Sequence, residues 1–177
     1  MRGCKTIKFL QLDKVFKLPF FIPKKIMDVE KYSQKLNAFH SLSPGLKAYI
    51  STIAKGTAYK GGQTVFLTRE DYNFYPLIQS GSLQLMAIDK DNDEKIVIRT
   101  YKAEEFLYHF PNVMPRSRFK LYVEFLEDSY LVAFSEKHYS NLMKLFPDAY
   151  LLNLSYTAWH LNIQLELLLG NNKIPDV

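Results

Sequence analysis

Cysteine is almost missing from this 177-residue chain. Cys4 stands alone, which excludes an internal disulfide and a cysteine zinc site and makes a reducing, cytoplasmic setting the expectation. Glycine and proline are sparse, at 7 and 8 residues, so a collagen-like or linker-rich chain is ruled out. Long apolar runs are lacking too. Lys14 and Lys17 fall among Phe9, Leu10, Phe16, Phe20 and Phe21, which breaks any signal-peptide core. In the apolar C-terminal stretch Asn153, Ser155, Thr157, His160, Asn162, Gln164 and Glu166 recur too often for a membrane span, so no membrane partner is expected.

The residues of common catalytic and metal sites are present only as scattered singles. His40, His109, His138 and His160 form no His-x-His pair, so no metal is expected. The string Asp89-Lys90-Asp91-Asn92-Asp93 starts like a calcium loop but has Glu94 in place of the sixth-position glycine and Thr100 in place of the twelfth-position glutamate; it reads as a solvated hairpin turn. Ser80-Gly81-Ser82 lacks the glycine spacing of a nucleophile elbow. No glycine-rich phosphate loop opens a helix. A non-enzymatic protein is expected.

Charge is uneven. Residues 1–26 carry Arg2, Lys5, Lys8, Lys14, Lys17, Lys24 and Lys25 against Asp13 alone, so the formal net charge of +5 becomes −1 over the remaining 151 residues. A nucleic-acid-binding domain shows a basic footprint on its folded body. Direct DNA binding by this chain is therefore not expected. The basic, aromatic extension could lie on an anionic membrane surface, or Met27 could be the biological start.

What the chain has in quantity is aromatic side chains, 15%, chiefly 13 Phe and 12 Tyr, which favour β-structure. Apolar spacing by three and four gives a helix over residues 28–40, with Val29, Tyr32, Leu36 and Phe39 on one face. Ser43-Pro44 caps a second helix that Gly56 is expected to stop. From Thr57 to Ser135 the period drops to two. Strands are expected at Thr57–Tyr59, Thr64–Leu67, Tyr75–Gln79, Ser82–Asp89, Lys95–Thr100, Leu121–Phe125 and Tyr130–Phe134, a pattern of sandwich or barrel. Ser135 then opens a helix through Tyr139, Leu142, Met143 and Phe146, and Pro147 punctuates it.

Asp148–Leu169 has no glycine or proline and is read as one long helix. Leu151, Leu154, Ala158, Leu161, Leu165 and Leu168 follow a 3-4-3-4-3 spacing, the seam of a coiled coil. Leu152, Tyr156, Trp159, Ile163 and Leu167 make a second apolar face. A helix apolar on two faces is covered on two sides. The first seam is expected to pair with its twin in a parallel homodimer; a central core helix in a monomer is the other reading.

Helix, β-roll, short helix and long apolar helix, in that order, resemble the sensory domain of Crp/Fnr-type transcription regulators, a cyclic-nucleotide-binding domain. Phe39 with Leu42-Ser43-Pro44 and Leu46 resembles the family's entry helix, Tyr59-Lys60-Gly61-Gly62 its Y-x-K-G-E turn, Tyr75–Gly81 its strand and glycine turn, and Leu126-Glu127-Asp128-Ser129 the turn before its last strand. Gly61 and Gly81 are expected in left-handed turns. The resemblance covers roughly residues 36–169. It implies a mainly β fold with flanking helices: a double-stranded β-helix, or jelly-roll β-roll, with N-terminal helices and a long C-terminal dimerisation helix. The segments are a 1–26 extension, a 27–147 β-roll unit, a 148–169 dimerisation helix and a 170–177 tail.

Two departures stand out. The family's Gly-Asp-Phe-Phe-Gly-Glu stretch corresponds to Glu104-Glu105-Phe106-Leu107-Tyr108-His109, so both glycines are replaced and His109 stands where the ribose-holding glutamate would be. The phosphate-binding arginine falls near Phe119, with Arg116, Arg118 and Lys120 close but out of register. A degenerate pocket follows, with His109, Arg116, Arg118, Lys120, Tyr156, Trp159 and His160 as candidate pocket residues for a cyclic nucleotide or other small anionic effector. No resident cofactor is expected. The family's helix-turn-helix domain has no counterpart before Val177, which suggests either a cut chain or a stand-alone sensor. The reading is a regulatory ligand-sensing domain acting in transcription regulation. Its rivals are a ligand-free interaction module on the same fold and, more weakly, a cupin-like metal-binding enzyme.

Overall fold

The computed structural model describes residues 28–67, 73–108 and 118–169, together with the backbone but not the side chain of Leu168. His109, Arg116, the 1–26 extension and the 170–177 tail lie outside the described residues.

Asp28 opens helix α1 (Val29–Phe39) by accepting a hydrogen bond from the Lys31 N–H at 2.8 Å. Helix α2 (Pro44–Ile53) begins as its sequence dictates. Ser43 Oγ accepts from the Leu46 N–H at 3.3 Å, and Pro44 occupies the first turn, where its missing N–H costs nothing. Replacing Ser43 with alanine is expected to lower the unfolding free energy by about 1 kcal/mol, and with glycine by only a few tenths, measured by urea denaturation. The helix ends at Ile53 with Ala54 as its cap, before Gly56 is reached. Gly56 is instead a strand residue: the Tyr130 ring lies where its Cβ would be.

Seven strands are described: β1 (Lys55–Tyr59), β2 (Thr64–Phe66), β3 (Asn73–Ser80), β4 (Ser82–Asp89), β5 (Lys95–Lys102), β6 (Phe119–Phe125) and β7 (Ser129–Ser135). They form two antiparallel sheets, ordered β1-β7-β3 and β2-β6-β4-β5. The β4 limits match the sequence expectation; the others differ by a few residues at their ends. In the β1–β2 turn the left-handed residue is Gly62 (φ 80°), not Gly61, whose Cβ would approach Glu127 Cα at 3.1 Å. That turn is tied to the β6–β7 turn by Asp128, which accepts from the Gly61 N–H at 3.0 Å and from Lys60 Nζ at 2.6 Å. Gly81 (φ 89°) turns β3 into β4, and a side chain there would strike Ser129, whose Cα would lie 2.7 Å from the new Cβ.

The strand alternation divides the apolar residues between two cores. Ile78, Leu83, Leu85, Tyr101, Leu107, Val123, Phe125 and Leu131 fill the space between the sheets. Leu77, Val132 and Phe134 point from the three-stranded sheet into a second core, against α1, α2, α3 (Glu136–Leu145) and α4 (Asp148–Leu168). This is a β-roll with flanking helices, as the sequence order indicates.

Helix α4 has the two faces its spacing requires. Ala149, Leu152, Tyr156, His160 and Ile163 are buried against the body. Leu151, Leu154, Leu161 and Leu165 are 50–65% exposed, and Ala158 is exposed between them. Among the described residues no helix is long and apolar enough to cross a membrane.

Candidate functional site

Two buried groups lie within electrostatic reach of one another. Arg99 comes from β5 and His160 from α4. Residues Leu85 and Arg99 are paired across β4 and β5, and a register shift directly after Leu85 sets which β5 side chains face the roll. Arg99 lies with its guanidinium 4.5 Å above the Tyr101 ring, its side chain only 9% exposed. Nη2 meets Glu105 Oε1 at 3.3 Å, while Nη1 is buried with no hydrogen-bond partner among the described residues. Glu105 is itself held by the Lys102 N–H at 2.7 Å.

His160 is fully buried. Its imidazole stacks on Tyr108 at 3.9 Å and 12°, and meets Tyr156 and Trp159 edge-on at 4.5 and 4.4 Å. Both ring nitrogens, and Trp159 Nε1, are buried without a hydrogen-bond partner among the described residues. Burial and, secondarily, the positive charge of Arg99 push the His160 imidazole down to about 3, so it is neutral at physiological pH. The cluster is framed by Phe39 and Phe106, each in ring contact with Tyr156. Tyr101 donates to the Tyr108 carbonyl at 3.2 Å, and Tyr156 reaches the Leu107 carbonyl at 3.5 Å.

The chemistry offered is that of recognition. A guanidinium N–H, an indole N–H and a neutral imidazole that can donate and accept lie among the rings of Tyr101, Tyr108 and Tyr156. Buried polar groups of this kind cost free energy until something bonds them. Among the described residues no group of His, Cys, Asp or Glu is placed to hold a metal ion.

Of the sequence candidates, Tyr156, Trp159 and His160 meet here. Arg118 does not. It grips the β4–β5 turn through Nε to Asp89 Oδ1 at 2.8 Å and to Asp91 Oδ2 at 3.1 Å, and its side chain is 57% exposed. The same ion pair holds the Asp89 carboxyl below the usual carboxylate range, so arginine braces the hairpin turn formed by the calcium-like string. Lys120 is exposed on β6, with Nζ 4.0 Å from the Phe66 ring. Arg99, Tyr101 and Tyr108 were not among the candidates. The one available signal was an arginine directly after the apolar run Ile96-Val97-Ile98.

The two replaced glycines are accounted for differently. Glu104 keeps a left-handed backbone (φ 77°), a conformation natural to glycine, and its carboxylate is met by Lys31 at 2.5 Å and Lys35 at 3.6 Å from α1. Tyr108 places its ring over His160, in space a glycine would leave open.

No protein-family model and no curated protein matches the chain. Solved structures do. A cyclic nucleotide-binding domain from Methylobacillus flagellatus superposes with a TM-score of 0.61 at 15% identity, covering 84% of this chain and 86% of its own. The sensor domain of the transcriptional regulator DNR from Pseudomonas aeruginosa gives 0.55 at 15% identity, covering 84% and 98%. The Thermus thermophilus catabolite activator protein gives 0.53 at 19% identity, covering 76% of this chain but only 62% of that one. The fold is therefore that of the cyclic-nucleotide-binding, Crp/Fnr-type sensor domain. The chain spans about three fifths of the length of the Thermus regulator.

Proposed function

We propose that this chain is a non-enzymatic ligand-sensing module, binding a small anionic effector at Arg99 and passing the signal through a homodimer along α4 to transcription control. The observation that carries the reading is the buried Arg99 guanidinium, with one nitrogen unpartnered among the described residues, within electrostatic reach of the neutral His160. A buried cation with a free donor is expensive to maintain without a ligand. Because Glu105 already neutralises part of that charge, the pocket favours an effector of low charge. The departures at Glu104, Tyr108 and His109 weaken the case for a cyclic nucleotide. Coupling is short-range: His160 contacts the site, and its neighbour Leu161 lies on the exposed seam of the same helix.

The test is a thermal-shift and calorimetric panel of cyclic AMP, cyclic GMP and singly charged aromatic carboxylates. At least one singly charged carboxylate is expected to stabilise the protein saturably, and Arg99→Gln to weaken it about tenfold to a hundredfold, the value of one charge-assisted hydrogen bond. A low-micromolar constant for a cyclic nucleotide would overturn the degenerate pocket, and an unchanged constant in Arg99→Gln would overturn the assigned anchor.

The stacking of Tyr108 on His160 favours a second reading, in which the chain's own rings fill the pocket and the fold serves assembly alone. In that case the panel is silent while the dimer persists.

A further inference from the structure

The four-stranded sheet has an outer face that neither core uses. Leu83 and Leu85 of β4, Tyr101 of β5, and Val123 and Phe125 of β6 point into the space between the sheets. Alternation turns Tyr122 the other way, and its register partners share its face. Phe66 of β2 pairs with Tyr122, Tyr122 with Met86 of β4, and Met86 with Val97 of β5. An apolar stripe thus crosses all four strands. Its ends, Phe66 and Val97, are exposed, but its middle is not. Tyr122 is 3% and Met86 6% exposed, although neither belongs to the core between the sheets or to the core under the helices. The Tyr122 hydroxyl is buried without a hydrogen-bond partner among the described residues, where a buried phenol is ordinarily bonded.

The neighbouring row on this face is Thr64, Glu124, Gln84 and Thr100. Glu124 is half-buried and makes no ion pair among the described residues. An element that suits the stripe therefore brings apolar side chains, a hydrogen-bond acceptor for Tyr122 and a cation for Glu124.

Residues 1–26, outside the described residues, have that chemistry. They carry Phe9, Leu12, Phe16, Leu18, Phe20 and Phe21 among seven basic residues and one acid. They also have the reach. Lys31 of α1 pairs with Glu104, two residues beyond the end of β5, so the chain enters α1 beside that edge of the sheet. Twenty-six residues extend up to about 85 Å, and four strands are together about 15 Å wide. The connecting segment 68–72 has Tyr72 as its one large apolar residue.

We propose that residues 1–26 fold back over this stripe as a strap. Apolar side chains of the extension cover Met86, Tyr122 and Val97, a backbone carbonyl accepts from the Tyr122 hydroxyl, and a lysine meets Glu124. While seated, the strap withholds its lysines from any anionic surface.

The full chain, with photoreactive benzoylphenylalanine in place of Val97, is irradiated at low micromolar concentration and its crosslinked peptides are mapped by mass spectrometry. Crosslinks to residues 1–26 of the same chain are expected. Trypsin is expected to cut after Lys14 and Lys17 at least about tenfold more slowly in the full chain than in a synthetic 1–26 peptide. Val97→Ser is expected to speed that cleavage about fivefold and Glu124→Gln about twofold, through loss of one half-covered side chain and one partly exposed ion pair. Val97 is exposed and Glu124 only half-buried, so both variants are expected to fold, which circular dichroism checks. Crosslinks that map to 68–72, 109–117 or 170–177, or that join two chains, would give the stripe to another occupant and overturn the strap. Cleavage at the rate of the free peptide, or cleavage unchanged in both variants, would overturn it as well. Arg99→Gln is expected to leave crosslink and cleavage rate as they are, so this test stands apart from that of the effector site.

Discussion

Placing lysine at both Leu154 and Leu161 is expected to convert the proposed dimer to a folded monomer, raising the dissociation constant by roughly three to four orders of magnitude. Leu154 is 65% and Leu161 51% exposed, so each has about half its surface or more to gain from a partner. Covering that surface is worth about 1 kcal/mol per side chain, and twofold symmetry counts each change twice. Forcing four ammonium groups to leave water takes the total to about 5 kcal/mol or more. The fold itself is expected to hold, because the intramolecular packing of α4 uses Leu152, Tyr156 and Ile163 on the other face. Sedimentation of wild type and variant at micromolar concentration, with circular dichroism of both, decides the matter. A wild-type chain that sediments as a 20.7 kDa species would remove the dimer and the signalling route built on it.

His160 makes stability depend on pH. Its folded-state value of about 3 lies below the ordinary 6.5, so the unfolded chain binds the proton more readily. The contribution is fully present above pH 6.5 and is lost as pH falls toward 3. At about 1.4 kcal/mol per unit, the loss reaches about 2 kcal/mol at pH 5 and about 3 kcal/mol at pH 4. The groups around it are the Arg99 cation and its partner Glu105, with Tyr108, Tyr156 and Trp159 as rings. His160→Phe keeps a ring for Tyr108 to stack on and carries no proton. The difference in urea-unfolding free energy between wild type and variant is expected to change by these amounts between pH 7 and pH 4. A difference that stays constant with pH would show that the imidazole is not neutral and buried as described.

The regular parts of the fold were legible because local physics determines them. Ser43-Pro44 caps α2 whatever surrounds it, and Ser82–Asp89 is bounded by the Gly81 turn and the Lys90–Glu94 loop, which set its ends locally. The 3-4 spacing of leucines announced a second apolar face on α4, and among the described residues that seam is exposed. The candidate site was only half legible. Tyr156, Trp159 and His160 were readable from α4, but the cationic partner was sought in the 116–120 stretch, where Arg118 answers instead to Asp89.

Sequence by itself determined which segments are helix and strand, their order, and the need of α4 for cover on two sides. Those follow from periodicity and capping, which act within a few residues. Tertiary structure decided which way Arg99 points. Three consecutive apolar residues of β5, Ile96, Val97 and Ile98, are 41–51% exposed, while Arg99 and Tyr101, paired with Leu85 and Leu83, turn toward the roll. The register shift after Leu85 sets the facing of the strand, and a shift of one residue exchanges its two faces. A choice made between strands has no signature within either one.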